Sequence, residues 1–232
     1  MAKTYFIAGT DTEVGKTYVS AALLSAAAEA GLQTAAVKPV ASGCEHTDDG
    51  LRNEDALLLQ EAMTLKLPYQ QVNPFALEPA IAPHIAAAEV GKQLNVARMA
   101  GVCRGVMSAG ADLVLIEGAG GWRTPLGPRS FLSQLPRELN LPVILVVGMQ
   151  LGCINHALLT VEAIRRDGLP LVGWVANFVR GEGMARAEEN LHTLKALLPA
   201  PLLGSLPFDS AANYRNAAQY LDIDGLIAQA DH

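Results

Sequence analysis

Short apolar runs rich in β-branched residues recur along the chain with helically spaced segments between them, and that alternation leaves few folds open. The runs are TYFIAG (4–9), TAAVKPV (34–40), DLVLIEGAG (112–120), PVILVVG (142–148), LVGWVANF (171–178) and, more weakly, PLLGSLPF (201–208). Each reads as a buried strand. Helical spacing is clearest at 16–30, 96–109, 154–167 and 184–198, the third segment closed by Gly168 with a proline just beyond. Strands alternating with helices predict an α/β fold, a mostly parallel sheet with helices on both faces. Residues 42–95 interrupt the rhythm with turn formers and prolines at 68, 74, 79 and 83, and predict a long excursion holding a short helix near 53–63. A chain of 232 residues, half of them hydrophobic, is expected to form a single domain spanning 1–232.

Charge and cysteine usage exclude several functions. Seventeen basic against twenty-three acidic side chains give a net charge of -6, and no Lys/Arg-rich stripe is present, which argues against a nucleic-acid partner. The opening MAKTYFIAG meets polar TDTE at once, unlike a secretory segment, and apolar stretches such as LPVILVVG fall far short of the ~20 residues that cross a bilayer. Cys44, Cys103 and Cys153 form no CxxC pair, so neither a disulfide framework nor a zinc site is suggested. His46, His84, His156, His192 and His232 are scattered and are assigned no metal. A soluble, cytoplasmic protein is expected.

In an open parallel sheet, ligands bind at the carboxyl ends of the strands, and the unusual residue clusters here fall just after predicted strands. The first is GTDTEVGKT (9–17), between a strand and a helix. It resembles the loop G-x-x-x-x-G-K-[ST], in which backbone N–H groups wrap phosphates, the lysine reaches the β/γ oxygens and the hydroxyl holds Mg²⁺. Lys16 and Thr17 take those places, although five residues rather than four separate Gly9 from Gly15. Asp11 and Glu13 are odd in a loop that holds anions. They suggest a cationic ligand, an amine or a metal, or else they face solvent or cap the loop.

Further clusters follow the other strands. Lys38 ends the second, where it could stabilise charge on a transferring phosphoryl group or be an ordinary surface lysine. Asp55 opens an amphipathic helix and by itself needs only the helix dipole to explain it. Glu117 follows an apolar strand and enters a glycine turn, where a carboxylate opposite Thr17 would hold Mg²⁺. Gly118, Gly120 and Gly121 allow close backbone approach or simply make a tight turn. Asn177 has the donor and acceptor that match adenine, or forms a turn. LGCINHA (151–157) opens a helix whose N–H groups could face an anion, unless Asn155 merely caps it.

Together GTDTEVGKT, KPVASG, RNEDAL, EGAGGW, LGCINHA and GWVANF resemble the dethiobiotin synthetases, in that order and over roughly residues 3 to 220. The resemblance implies a homodimeric enzyme with the three-layer fold of the P-loop NTPases. It implies the use of ATP, Mg²⁺ and carbon dioxide to turn 7,8-diaminopelargonic acid into dethiobiotin, ADP and phosphate, a step of biotin biosynthesis. A carbamate forms on one amine, its oxygen attacks the γ-phosphate, and the second amine closes the ureido ring on the mixed anhydride.

Carried over by position, Thr17, Asp55 and Glu117 correspond to the Mg²⁺ ligands, and Lys16 and Lys38 to the catalytic cations. Glu13, Val14, Gly15, Tyr18, Gly118, Ala119, Gly120, Asn177, Phe178 and Pro207 join them in binding ATP. Thr12 and Ser42, with Glu13 beside them, match the diamine and carbamate side. Gly152, Cys153 and Asn155 correspond to residues that hold the substrate carboxylate of the partner subunit. Two departures stand out. Relatives in the wider ATPase class carry an early loop lysine where Asp11 stands, and the stretch FDSAANYRNAA (208–218) aligns only with an insertion near Arg215. The alternative, a switch ATPase of the partitioning or septum-positioning type, is disfavoured by that missing lysine and by a C-terminal LDIDGLIAQADH without a basic amphipathic face. A cobyrinate-type amidotransferase would require a further glutaminase domain. Arg123 is assigned no role.

Overall fold

A computed structural model describes residues 2–181 and 183–228; His232 and the end of the C-terminal stretch lie outside them. All six apolar runs become strands of one parallel sheet. They are β1 (Lys3–Gly9), β2 (Thr34–Val37), β3 (Leu113–Glu117), β4 (Val143–Gly148), β5 (Leu171–Asn177) and β6 (Leu202–Leu206), in the order β6-β5-β4-β1-β3-β2. β2, β3 and β4 are buried along their whole length, as their unbroken apolar sequences require. β6, the weakest run, is an edge strand and is only partly buried.

The helices are α1 (Lys16–Glu29), α2 (Glu54–Ala62), α3 (Tyr69–Val72), α4 (Pro83–Glu89), α5 (Val96–Met107), α6 (Gln134–Leu139), α7 (Cys153–Arg166), α8 (Ala187–Leu197), α9 (Tyr214–Ala217) and α10 (Ile223–Ala228). From β1 the chain crosses to the edge at β2 and then steps back the other way through β3, β4, β5 and β6, so right-handed crossovers place α1 on one face and α5, α6, α7 and α8 on the other. Packing agrees: α1 lies against α2, α9 and α10, α5 against α6, and α7 against α8. Helix α1 is therefore covered on nearly every side, which explains the sequence KTYVSAALLSAAAE with its run of small apolar residues and no polar face.

The excursion at 42–95 holds the expected short helix, α2, and more structure than the sequence suggested. Val40–Ala41 pairs in parallel with Phe75–Ala76, Glu45–Thr47 and Gly50–Arg52 form a small hairpin, and α3 and α4 follow. The strands and α3 are two to four residues long and α4 is seven, too short to show a clear periodicity. Among the described residues no helix is long and apolar enough to cross a membrane.

Candidate active site

The loop after β1 turns directly into α1. Gly15 has φ +82°, and a Cβ on it would lie 2.1 Å from the side-chain nitrogen of Asn177, so only glycine fits. Gly15→Ala is expected to lower Tm and weaken nucleotide binding together, readable by thermal melts with and without ATP. Asn177, buried at the end of β5, donates from Nδ2 to the Val14 carbonyl at 2.9 Å and so ties the loop to the sheet. Lys16 curls back over the loop and donates to the Asp11 carbonyl at 2.9 Å. The Asp11 carboxylate accepts the Thr12 backbone N–H at 2.7 Å, which makes it a cap on its own loop. Glu13 is exposed, with φ +59°.

Four side chains from distant segments meet beneath this loop. Thr17 Oγ1 donates to Glu117 Oε1 at 2.7 Å. Lys38 Nζ donates to the same oxygen at 2.7 Å and to Asp55 Oδ2 at 2.5 Å. Strand pairing explains the meeting: β3 lies beside β1 and β2, so Glu117, Thr17 and Lys38 share one corner of the sheet's carboxyl edge. The first turn of α2 brings Asp55 to it, capped by Asn53, which accepts the Ala56 N–H.

Burial sets the electrostatics. Glu117 is 0% exposed, and Lys38 beside it is 5% exposed, so neither charge is tolerable without the other. Burial pulls the Lys38 ammonium down, but Glu117 and Asp55 outweigh it and hold the group above the usual lysine value. Asp55, half exposed, is pushed up by partial burial and pulled further down by Lys38, with a net lowering. Lys16 falls to about 8, chiefly through burial, which the attraction of Glu117 opposes and the repulsion of Lys38 reinforces.

That lowered value has a measurable consequence. In the free protein the penalty on charged Lys16 is fully present below pH 8 and fades as pH rises from about 8 toward the unfolded value of 10.5, so this residue's contribution to stability grows over that window. Bound polyphosphate would restore the charge. Near pH 8, nucleotide binding is therefore expected to take up about half a proton, measurable by calorimetry in buffers of different ionisation enthalpy.

Mg²⁺ suits these residues. Among the described residues, Glu117 Oε2 is buried without a hydrogen-bond partner. With the Thr17 hydroxyl and the Asp55 carboxylate it offers the small set of hard oxygens that Mg²⁺ takes from proteins, the remaining positions going to water and phosphate. Among the described residues no cluster of three or more His, Cys, Asp or Glu offers another metal site.

A cavity of about 830 Å³ opens above this cluster. Of the sequence candidates, it is lined by Thr12, Glu13, Gly15, Lys16, Thr17, Tyr18, Lys38, Ser42, Asp55, Ala119 and Gly120. Glu117 lies beneath its floor. Val14, Gly118, Asn177, Phe178 and Pro207 are not on its wall, and neither are Gly152, Cys153 and Asn155 at the start of α7. Gly152, not Asn155, occupies the N-cap of α7, and among the described residues no side chain caps its N-terminus. Asn155 is exposed, and the neighbouring Leu151 is 95% exposed.

Several lining residues carried no sequence signal. Ala80, Ile81, Ala82 and Pro83 form an apolar wall contributed by the excursion, Thr124 braces the glycine turn by donating to Ala119 O at 2.7 Å, and Ala212 comes from the segment before α9. That segment is anchored by Arg215 and the Tyr214 hydroxyl, both donating to Glu61 of α2. Arg123 proves structural. It forms a two-pronged pair with Asp167 at 2.7 and 3.0 Å, joined by Trp122 Nε1 at 2.9 Å, and so pins the glycine turn to the end of α7. Arg123→Ala is expected to cost about 2 kcal/mol of stability, measurable by urea unfolding.

Comparison with known proteins places this geometry. The family model described as "AAA domain" matches residues 3–214. The ATP-dependent dethiobiotin synthetase BioD of Marinobacter nauticus is 56% identical over 98% of this chain and 99% of its own length. That of Pseudomonas paraeruginosa is 58% identical over 94% and 96%. Among solved structures, the MinC:MinD cell division complex of Aquifex aeolicus aligns with TM-score 0.61 at 14% identity, covering 100% of this chain and 97% of the other. The septum site-determining protein MinD of Pyrococcus horikoshii, complexed with Mg-ADP, aligns with TM-score 0.60 at 18% identity over 98% and 96%. Those two likenesses concern the fold alone, whereas identity above one half over nearly the whole length concerns the family: the chain belongs to the ATP-dependent dethiobiotin synthetases.

Proposed function

We propose that this enzyme closes the ureido ring of dethiobiotin from 7,8-diaminopelargonic acid, carbon dioxide and ATP, as a single-domain cytoplasmic homodimer. The observation that carries the reading is the hydrogen-bonded chain Thr17–Glu117–Lys38–Asp55 at the foot of a cavity that a phosphate loop borders on one side and an apolar wall on another. Phosphates rest on the loop amides and Lys16. The apolar wall at 80–83 suits the alkyl chain of the diamine, and Thr12, Glu13 and Ser42 stand where its amines and carbamate would lie. Gly152, Cys153 and Asn155, away from this chain's cavity, are proposed to serve the substrate carboxylate in the partner's site.

Catalysis in this scheme is positioning and charge. Lys38 is held protonated by two carboxylates and presents fixed positive charge where the carbamate oxygen attacks the γ-phosphate. Thr17, Asp55 and Glu117 would hold Mg²⁺, which would supply further positive charge to the phosphates. Ring closure then needs only that the second amine lie within reach of the mixed anhydride, which a substrate clamped at both ends provides.

The test is to supply ATP, Mg²⁺, bicarbonate and the diamine and to follow phosphate release with product mass. Release that requires the diamine, with a product heavier by one carbonyl less two hydrogens, is the expected result. Slow ATP hydrolysis indifferent to the diamine would instead identify a switch ATPase and overturn the reading.

A further inference from the structure

We infer that Tyr69 and Asn73, neither of which touches the cavity, are positioning residues that set the Lys38–Asp55 pair through one buried relay of hydrogen bonds. The inference rests on the proposed role of Lys38. The relay begins at Lys38 itself, whose carbonyl accepts from Asn73 Nδ2 at 2.7 Å while its N–H donates to the Val72 carbonyl at 2.7 Å. Asn73 Oδ1 accepts from the Tyr69 hydroxyl at 3.2 Å, and that hydroxyl accepts the Asn53 N–H at 2.8 Å. Asn53 then caps α2, the helix whose first turn carries Asp55.

The relay is closed and directional. Asn53 N–H points to the tyrosine oxygen, the tyrosine proton to the Asn73 carbonyl oxygen, and the Asn73 amide proton to Lys38. Asn53, Tyr69 and Asn73 are all buried, and Tyr69 and Asn73 lie off the cavity wall, so a link broken between those two leaves a polar group with no water to replace its partner. Lys38 lies beyond the end of β2, and Asp55 arrives on a helix seventeen residues later. Sheet pairing brings Lys38 to the corner but ends at Val37, and it does not reach Asp55. The relay therefore fixes the backbone beneath both members of the ion pair, as a supporting shell does for reacting groups.

Tyr69→Phe removes one oxygen and tests this directly. Diamine-dependent turnover is expected to fall about 10-fold, since sub-ångström misplacement of a charged group is costly, while KM for ATP stays within about 2-fold. In a Lys38→Ala background the same change is expected to cause a far smaller further loss, through Asp55 alone, the non-additivity of residues acting through one another. In the free protein, amides of residues 53–57 should exchange hydrogen faster in Tyr69→Phe. Asn73→Ala should act in the same direction; if it fails to fold, Tyr69→Phe still decides.

Normal turnover in Tyr69→Phe beside an impaired Lys38→Ala enzyme would overturn the relay and leave the proposed function standing. A loss that multiplies in the Lys38→Ala background, or unchanged exchange at 53–57, would also overturn it. Full turnover in Lys38→Ala alone would instead remove the role of Lys38, and with it the basis of this inference.

Discussion

Replacing Lys38 by alanine is expected to lower diamine-dependent turnover on the order of 10²-fold or more, because in the proposed mechanism the group faces developing negative charge on the transferring phosphoryl. The structure adds a second consequence. Lys38 is the cation on a fully buried Glu117, so its loss leaves that carboxylate uncompensated and costs about 3 kcal/mol of stability. Both are measured on one preparation, by phosphate release and by thermal melting. Mg²⁺ should recover part of the lost stability by taking over Glu117, whereas it should add little to turnover. Unchanged turnover with lowered Tm would make Lys38 a structural counter-ion only. Lys38→Met combined with Glu117→Leu separates the two roles further: apolar replacement of a buried pair restores stability and not catalysis.

Glu117→Gln is expected to have the next largest effect. The variant keeps the shape and one hydrogen-bonding oxygen but removes the charge that complements both Lys38 and a divalent ion. Turnover should fall on the order of 10²-fold, and the Mg²⁺ needed for half-maximal rate should rise at least about tenfold. Titration of Mg²⁺ at saturating ATP reads both. Retention of wild-type Mg²⁺ dependence would move the metal away from Glu117 and leave its unpartnered Oε2 unexplained.

The sheet was legible because its strands are buried on both faces and so announce themselves as unbroken apolar runs, whose order under right-handed crossovers fixes where their carboxyl ends gather. Lys16, Thr17 and Glu117 were legible for a related reason: each stands where such a run meets polar residues. Asp55 was not, since an acid in the first turn of a helix is explained by the dipole alone; only the family resemblance singled it out. Asn177 illustrates the opposite limit. Its amide could match adenine or form a turn, and the structure gives it a third task, holding the Val14 carbonyl from beneath.

What the sequence by itself determined is therefore the α/β architecture, the phosphate loop and the family, all encoded in contiguous patterns. The tertiary structure alone decided which charges pair with which, that Arg123 braces the glycine turn through Asp167, and that the irregular excursion supplies the apolar wall and the relay beneath Lys38. Those features depend on contacts between residues far apart in the chain and on burial that gives a hydrogen bond or ion pair its worth. Neither leaves a period or a motif in the sequence.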